Sequence, residues 1–469
     1  MFWAVDLQND FMNQNGALPV PNADNIKPQI KDLLKMALYQ NIPVYGSYDA
    51  HHPDDPEFET FPPHCISHSD GMQLFFYEDE EIDEYPQLSL FPKSTTDIFA
   101  EEGFTQGKLN DILKIQPTIV VFGVATEYCV KDAVLGYLER GINVIVIEDA
   151  IQGIDPENVG DAIIQMQLQG AQFMTLDHFK SYAKYEEQLH YLRSQAKEYL
   201  QNNGLQTIVL GISGGIDSAL TAAILEPVAK DLDIPLVGIW IGIESTEEER
   251  QRAFAVGNEF CDEFIDEDLS HISHSTESLF YLHNPGEEIK YFLQDKIRIG
   301  NIKARLRMIY LYHEAHTRKG IVMSTDNRTE YELGFWTLHG DVGDLNLLHS
   351  LYKTEVYELA NYLMEKYDRE DHADKADTMD ECIQAVPTDG LGITDSDLDQ
   401  FQAESYEEVD SILKMTKKEI MDHNLDTNPV YLRHIHTNWK RSNPINLVLP
   451  FYLRSHPERF SEEELQEDI

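Results

Sequence analysis

Residues 211–218, near the middle of the chain, have the types and spacing of an anion-binding loop. Their sequence is Gly-Ile-Ser-Gly-Gly-Ile-Asp-Ser, and they follow an apolar β-type run at residues 207–210. A helix-forming stretch comes next, so a helix N-terminus would present backbone N–H groups to the anion. The Gly-Lys-Ser/Thr ending of the Walker A pattern is missing. The loop therefore predicts phosphate binding of another kind; the minor alternative is a glycine turn that only packs a strand on a helix.

Four blocks downstream narrow the chemistry. They are Gly-Asn-Ile-Lys-Ala-Arg-Leu-Arg-Met at 300–308, Ser-Thr-Asp-Asn-Arg-Thr-Glu-Tyr-Glu-Leu-Gly at 324–334, Gly-Asp-Val-Gly-Asp at 340–344 and Leu-Tyr-Lys-Thr-Glu-Val at 351–356. In this order, and with the loop, they resemble NAD synthetase over roughly residues 185 to 450. That family adenylates the carboxylate of deamido-NAD with ATP and then lets ammonia displace AMP.

The resemblance implies a role for each of these blocks. It places Mg²⁺ on Asp217 and Glu330, the nicotinate end of deamido-NAD on Asn301 and Arg305, and ammonium on Asp341. The residues expected to bind nucleotide are Gly211, Ser213, Gly214, Gly215, Asp217, Ser218, Thr325, Lys353 and Thr388. For Asp344 and Arg307 an ordinary ion pair is as good an interpretation as a catalytic role. Nothing in the sequence resembles the Glu-Lys-Cys glutaminase domain of glutamine-using members, which predicts dependence on ammonia.

The first half of the chain carries a second set of reactive residues. Asp6 follows the first apolar run, Lys93 lies in a Pro-Lys-Ser block, and Cys129 lies on a turn after another apolar run. A cysteine attacks as its thiolate, and a helix N-terminus and a neighbouring lysine are expected to lower the thiol pKa. Asp6 can take the thiol proton and pass it to leaving ammonia, while Lys93 holds both charges in place.

A candidate metal site accompanies these residues. Asp49, His51 and His64 offer one carboxylate and two imidazoles, a set that suits Zn²⁺, Fe²⁺ or Mn²⁺, with Zn²⁺ first. Taken singly, the histidines could equally be surface residues and Cys129 a structural cysteine.

Jointly, the blocks of residues 1 to 180 resemble nicotinamidase, within the isochorismatase-like hydrolases. The resemblance implies an Asp-Lys-Cys triad, a metal that binds the pyridine nitrogen, a cis peptide before Ala125, and an oxyanion hole from the backbone N–H groups near Ala125 and Cys129. Phe11 and Phe61 would sandwich the ring, although Phe61 stands where the family usually has tryptophan.

Apolar runs that alternate with amphipathic helices must position these residues. Such runs recur at residues 3–5, 42–45, 118–122 and 142–147 in the first half and at 208–210, 236–241 and 321–323 in the second. They predict an α/β protein with two doubly wound parallel sheets. The first is expected to be isochorismatase-like and the second adenine nucleotide α-hydrolase-like. We place the domains at residues 1–182 and 183–469, with chemistry at the carboxyl ends of the strands.

Composition excludes several classes of protein. The 469 residues carry a net charge of −47, which disfavours binding to nucleic acid or anionic membranes. The 4 cysteines are too few for a disulfide framework, and neither a membrane-length apolar run nor a secretory signal is visible. A reduced, cytoplasmic enzyme is expected, with a homodimer through the second domain implied by the resemblance.

The sequence therefore predicts a bifunctional enzyme that hydrolyses nicotinamide and amidates deamido-NAD. The expected partners are small molecules: nicotinamide, deamido-NAD, ATP with Mg²⁺, and ammonia. One alternative is an NAD synthetase whose first domain hydrolyses a different amide as ammonia donor. A second alternative is an adenylating enzyme that modifies tRNA. This alternative is less favoured because no basic patch is visible in the sequence.

Overall fold

The computed structural model describes residues 1–77, 88–105, 107–115, 118–281, 293–388, 390–394 and 396–442. The chain divides into two compact units, Met1–Lys184 and Tyr185–Ile469. Over the described ranges, none of the helices combines the length and the apolar character needed to cross a membrane.

The described part of the first unit is built on a parallel sheet of six strands. Their order is β3-β2-β1-β4-β5-β6, and each neighbouring pair runs parallel. The strands are β1 (Phe2–Val5), β2 (Val44–Asp49), β3 (Leu88–Lys93), β4 (Ile119–Val124), β5 (Val144–Gln152) and β6 (Gln172–Met174). Every residue of β1 and β4 is buried, as expected for central strands covered on both faces.

Helices pack on the two faces of this sheet and divide its apolar side chains into two clusters. They are α1 (Asn9–Met12), α2 (Lys27–Gln40), α3 (Glu102–Thr105), α4 (Lys108–Ile115), α5 (Lys131–Leu138) and α6 (Pro156–Leu168). One cluster includes Ile30 and Leu34 of α2, and the other includes Val134 and Tyr137 of α5. The next helix, α7 (Leu176–Asn202), contains the division between the units.

The second unit has its own parallel sheet, with the order β11-β10-β7-β8-β9 over the residues that are described. The strands are β7 (Ile208–Gly211), β8 (Leu236–Gly242), β9 (Glu263–Asp268), β10 (Ile321–Ser324) and β11 (Leu345–Asn346). The helices are α8 (Ile216–Leu232), α9 (Glu247–Phe260), α10 (Ser270–Tyr281), α11 (Leu293–Thr317), α12 (Arg328–Leu333), α13 (Lys353–Arg369), α14 (Ala373–Gln384), α15 (Asp397–Phe401), α16 (Tyr406–Lys414), α17 (Lys417–Asp422), α18 (Pro429–His436) and α19 (Asn438–Arg441).

Each sheet has one place where the strand order reverses direction. It lies between β1 and β4 in the first unit and between β7 and β10 in the second. At such a point the loops that leave the carboxyl ends of the two strands diverge to opposite faces and open a crevice. Asp6 and Ala125 follow β1 and β4, and Ile212 and Thr325 follow β7 and β10. The predicted chemistry therefore lies where the topology makes room for a ligand.

Candidate active sites

Three side chains from separate strands meet at the crevice of the first unit. Asp6 follows β1 with a positive φ of 50°, Lys93 ends β3, and Cys129 lies on the π-helical turn Thr126–Val130 after β4. The Lys93 Nζ lies 2.8 Å from Asp6 Oδ2 and donates a hydrogen bond to Cys129 Sγ at 3.4 Å. The Ser47 hydroxyl donates to Asp6 Oδ1 at 2.8 Å. The structure thus brings together the three residues that the sequence predicts as base, cation and nucleophile.

The electrostatics of these groups differ in one respect from the expectation. Desolvation raises the pKa of the Cys129 thiol well above its ordinary value, and the charges of Asp6 and Asp49 add to that effect; Lys93 opposes it. The expectation of a lowered thiol pKa is therefore wrong, because burial of the thiol outweighs the attraction of Lys93, which also pairs with two carboxylates. Burial also raises the pKa of Asp6, against the attraction of Lys93.

The turn that carries Cys129 is held by groups around it. The peptide bond Val124–Ala125 is cis, as the resemblance implies. Glu127, which is buried, accepts hydrogen bonds at its Oε1 from the N–H groups of Ile154 and Asp155, both at 2.9 Å. These bonds tie the nucleophile turn to the loop that follows β5.

The three predicted metal ligands form one buried cluster. Asp49 Oδ2 lies 3.6 Å from His51 Nε2 and 3.4 Å from His64 Nε2, and the three ligand atoms fall within 4.8 Å of one another. Among the described residues nothing forms a hydrogen bond with His51 Nε2, although this atom is buried. An unpartnered imidazole nitrogen beside a carboxylate fits a divalent transition-metal ion. Lys93 also pairs with the other oxygen of Asp49, which links this cluster to the triad.

Aromatic rings line the space next to these ligands. The ring centroid of Phe11 lies 5.3 Å from that of His64, and the Phe61 centroid lies 6.4 Å from the same imidazole. Phe61 also contacts Tyr128 edge-on at 6.0 Å, and Phe58 lies 5.7 Å from His64. Phe11 and Phe61 therefore both lie beside the imidazole of His64.

In the second unit, the loop of residues 211–215 leads from β7 into α8. Gly214 has a φ of 76°, and a Cβ there would lie 2.6 Å from the Glu249 carbonyl oxygen, so the position requires glycine. The buried Ser218 hydroxyl donates to the Gly215 carbonyl at 3.0 Å and accepts from the Ser213 N–H at 3.2 Å. Ser218 thus holds the shape of the loop, while Ser213 is exposed.

Two carboxylates and one buried lysine lie beside this loop. Lys353 pairs with Asp217 Oδ2, and its Nζ lies 3.9 Å from Glu330 Oε1. The charge of Asp217 raises the pKa of Lys353 well above its ordinary value, although burial opposes this. Burial, with the charge of Asp217, raises the pKa of Glu330. Asp217 and Glu330 thus place two carboxylates near one point, and carboxylate oxygens are ligands that Mg²⁺ prefers.

A cavity of about 430 Å³ opens at this crevice. Most of the nucleotide-site residues predicted from the sequence line it, together with parts of the predicted substrate site. They are Gly211, Ser213, Gly215, Asp217, Thr325, Lys353, Thr388, Glu330, Asn301 and Asp341. Three predicted residues do not line it: Gly214 is buried in the loop, Ser218 is buried in the first turn of α8, and the exposed Arg305 donates to the Leu338 carbonyl at 3.2 Å.

Asp341 lines the same cavity, on the segment that follows α12. Its Oδ2 accepts a hydrogen bond from the Thr337 N–H at 2.5 Å, and the Thr337 hydroxyl donates to Asn301 Oδ1 at 2.6 Å. Burial raises the pKa of Asp341 to about 6. A carboxyl group with a pKa this close to neutrality can exchange protons at physiological pH.

Asp344 and Arg307 differ in their contacts. Asp344 accepts a hydrogen bond from the Tyr312 hydroxyl at 2.7 Å and another from the Val322 N–H at 3.2 Å. These contacts give Asp344 a structural role between α11 and β10. Arg307 lines the cavity and donates to the carbonyls of Ile241 and Gly390, both at 3.2 Å.

Two family models match this chain, one over each unit. The family model for NAD synthase matches residues 188–444, more than half of the chain. The chain belongs to the NAD synthase family. An NH₃-dependent NAD⁺ synthetase from Syntrophomonas wolfei is 36% identical over 181 residues, which cover 38% of this chain and 69% of the relative. A synthetase of the same description from Picrophilus torridus is 30% identical over 249 residues and is covered to 87%.

A second family model, the isochorismatase domain, matches residues 2–178 of this NAD synthase family member. Among solved structures, a zinc complex of pyrazinamidase from Pyrococcus horikoshii is 27% identical, with 37% of this chain and 97% of that chain covered and a TM-score of 0.33. The isochorismatase model thus covers the first unit, and the NAD synthase model covers most of the second.

Several residues at these sites escaped sequence reasoning. Glu57 Oε2 lies 3.6 Å from His51 Nε2 and, within the described ranges, has no hydrogen-bond partner. This oxygen can therefore act as a further metal ligand. Asp55 lies 3.1 Å from His51 Nδ1. Their acidic sequence context, Asp-Asp-Pro-Glu at 54–57, follows His51 closely and is the signal that could have found them. Lys440 lines the synthetase cavity, and no sequence signal singles it out.

Proposed function

We propose that this chain is a bifunctional enzyme of pyridine nucleotide salvage. The isochorismatase-like unit hydrolyses nicotinamide to nicotinate and ammonia, and the synthetase unit amidates deamido-NAD with ATP and ammonia. The observation that carries the proposal is the contact of Lys93 with both Asp6 and Cys129, in a chain whose other unit belongs to an ammonia-consuming family.

In the hydrolase, Cys129 Sγ attacks the amide carbon as its proton passes to Asp6. The backbone N–H groups at Ala125 and Cys129 stabilise the oxyanion. The C–N bond then breaks, and Asp6 returns the proton to the leaving ammonia. Asp6 next deprotonates a water molecule that attacks the thioester carbon. The C–S bond breaks, nicotinate leaves, and Cys129 recovers the proton from Asp6. Lys93 keeps Asp6 and Cys129 aligned throughout.

Asp49, His51 and His64 would hold the divalent metal ion, with Zn²⁺ the first choice for this ligand set. Such an ion supplies Lewis acidity and open coordination positions for a ring nitrogen or water. Phe11 and Phe61 pack against the substrate ring and orient its amide toward Cys129.

In the synthetase, the NAD synthase family implies ATP and Mg²⁺. The loop of residues 211–215 and Lys353 line the cavity and would bind the phosphates, and Asp217 and Glu330 would hold the Mg²⁺. The substrate carboxylate attacks the α-phosphate and pyrophosphate leaves. Ammonia then displaces AMP from the acyl-adenylate, with Asp341 receiving ammonium and removing its proton.

The alternative hydrolase function is cleavage of a different amide as ammonia donor. Phe61 favours considering it, because the smaller ring leaves more room than the tryptophan of the resembling family. A panel of aromatic and aliphatic amides, assayed for ammonia release by the purified chain, decides between them. If nicotinamide has the highest kcat/KM of the panel, the result supports hydrolysis of nicotinamide. If another amide is cleaved and nicotinamide is not, the result contradicts it.

A further inference from the structure

The first turn of α13, which begins with Lys353, is capped by residues from two other helices. The Lys353 N–H donates to Thr329 Oγ1 at 2.8 Å, and the Thr354 N–H donates to Asp410 Oδ2 at 2.9 Å. The Thr329 hydroxyl in turn donates to Asp410 Oδ1 at 2.5 Å. Asp410 belongs to α16 and Thr329 to α12, so three helices meet at one carboxylate.

This capping group is buried. Thr329 and Asp410 are 0% and 2% exposed. Helix N-termini are ordinarily capped by the residue that precedes them, but the Tyr352 side chain makes no such bond here. A carboxylate at this end also interacts favourably with the helix dipole. The sequence therefore supplies from a distant helix a cap that a nearby serine or aspartate could have provided.

The position of this cap relates it to the ATP site. Thr329 directly precedes Glu330, and the N–H that Thr329 accepts is that of Lys353 itself. Glu330 and Lys353 come from different helices, yet their charged atoms approach to 3.9 Å beside Asp217. The distance between them depends on how α12 and α13 are joined at their N-terminal ends, and Asp410 bonds to both.

We propose that Asp410, through Thr329, is a positioning residue for the ATP and Mg²⁺ site, fixing Glu330 and Lys353 relative to Asp217. The inference rests on the roles given to these three residues in the proposed function. Asp410 and Thr329 are not among the residues that line the cavity. Their effect on the reaction passes through the side chains they hold.

The test compares Asp410→Asn and Thr329→Val with two matched controls. Thr329→Ser keeps the hydroxyl, and Glu407→Gln removes an exposed charge from the same helix as Asp410. Binding of an ATP analogue with a methylene bridge between the α and β phosphates is measured by calorimetry in the presence of Mg²⁺. Steady-state NAD formation at saturating ammonium gives KM for ATP, KM for deamido-NAD and the Mg²⁺ dependence.

We expect Asp410→Asn and Thr329→Val to weaken analogue binding and raise the KM for ATP by about tenfold or more, because small misplacements of charged groups are costly. The KM for deamido-NAD stays near the wild-type value, and both controls behave like the wild type. Thr329→Val also serves if Asp410→Asn fails to fold.

Two results overturn the inference and have different meanings. Lower melting temperatures with unchanged analogue binding and Mg²⁺ dependence show that the cap serves stability alone. Unchanged analogue binding in Lys353→Met and Glu330→Gln as well shows that the proposed roles of these two residues are wrong, and the inference fails with them. The two results are told apart by Lys353→Met and Glu330→Gln. If these two variants bind the analogue more weakly but Asp410→Asn and Thr329→Val do not, the proposed function stands and only the positioning role fails.

Discussion

Replacing Asp341 with asparagine is expected to change the pH dependence of NAD formation in a way that isolates one carboxylate. Burial raises the pKa of Asp341 from its ordinary value of 3.8 to about 6, against the hydrogen bond from the Thr337 N–H and the charges of Arg307 and Lys440. A group with this pKa is about nine-tenths ionised at pH 7 and about one-tenth ionised at pH 5. Only the ionised form can bind ammonium and take its proton.

The assay is the ratio of wild-type to Asp341→Asn kcat/KM for ammonium, followed through NAD formation between pH 5 and 8. The ratio cancels the change in free ammonia with pH, since both enzymes receive the same solution. We expect a ratio of about 100 at pH 7.5, typical for loss of a general base, falling to about 10 at pH 5. A ratio that does not change with pH, or that changes only near pH 4, would show that ionisation of Asp341 near pH 6 does not control ammonium use.

The same shift makes a stability prediction with a defined sign. Because the folded-state pKa of Asp341 is raised, the protonated carboxyl favours folding below its ordinary pKa of 3.8, and this stability is lost as pH rises through about 6. By linkage the loss is about 3 kcal/mol at most. Asp341→Asn lacks this titration, so its melting temperature relative to wild type should rise from pH 4 to pH 6 and then stay level. Scanning calorimetry across this range checks the direction.

The remaining predictions concern both units. Cys129→Ala should reduce nicotinamide hydrolysis by about 10³-fold or more while leaving NAD formation from supplied ammonium unchanged, as measured by mass spectrometry; residual hydrolysis near the wild-type rate would contradict the nucleophile assignment. The purified chain should contain a transition-metal ion that His51→Ala and His64→Ala lose, as measured by elemental analysis, and full retention in both variants would contradict the metal site. The family resemblance implies a homodimer through the second unit, and sedimentation of the purified chain as a monomer would contradict this prediction.

The sequence was sufficient to predict the central strands of both sheets but not the strands at their edges. β1, β4, β7 and β8 are apolar runs buried on both faces, which is the pattern that indicates parallel strands. The strands that sequence reasoning missed are β3, β6, β9 and β11, and all four lie at sheet edges. β9 is rich in acidic residues and β3 contains Pro92, both of which an edge strand tolerates.

Reactive residues were predictable where a motif carries them, since motif spacing records backbone geometry. Asp6, Lys93 and Cys129 converge as the resemblance implies, as do Asp49, His51 and His64. What could not be predicted depends on distances between residues far apart in the chain. The thiol pKa of Cys129 is raised first by burial, with the charges of Asp6 and Asp49 from two other strands adding to the effect. The cap on α13 comes from Asp410, 56 residues beyond Thr354.

The central claim is that one chain releases ammonia from nicotinamide and places it on deamido-NAD. The most direct test incubates the purified protein with deamido-NAD, ATP, Mg²⁺ and nicotinamide labelled with ¹⁵N in its amide group, without added ammonium, and follows the products by mass spectrometry. We expect nicotinate and ¹⁵N-labelled NAD to rise together and Cys129→Ala to abolish both. NAD formed only from supplied ammonium, with no nicotinate at any time, would contradict it.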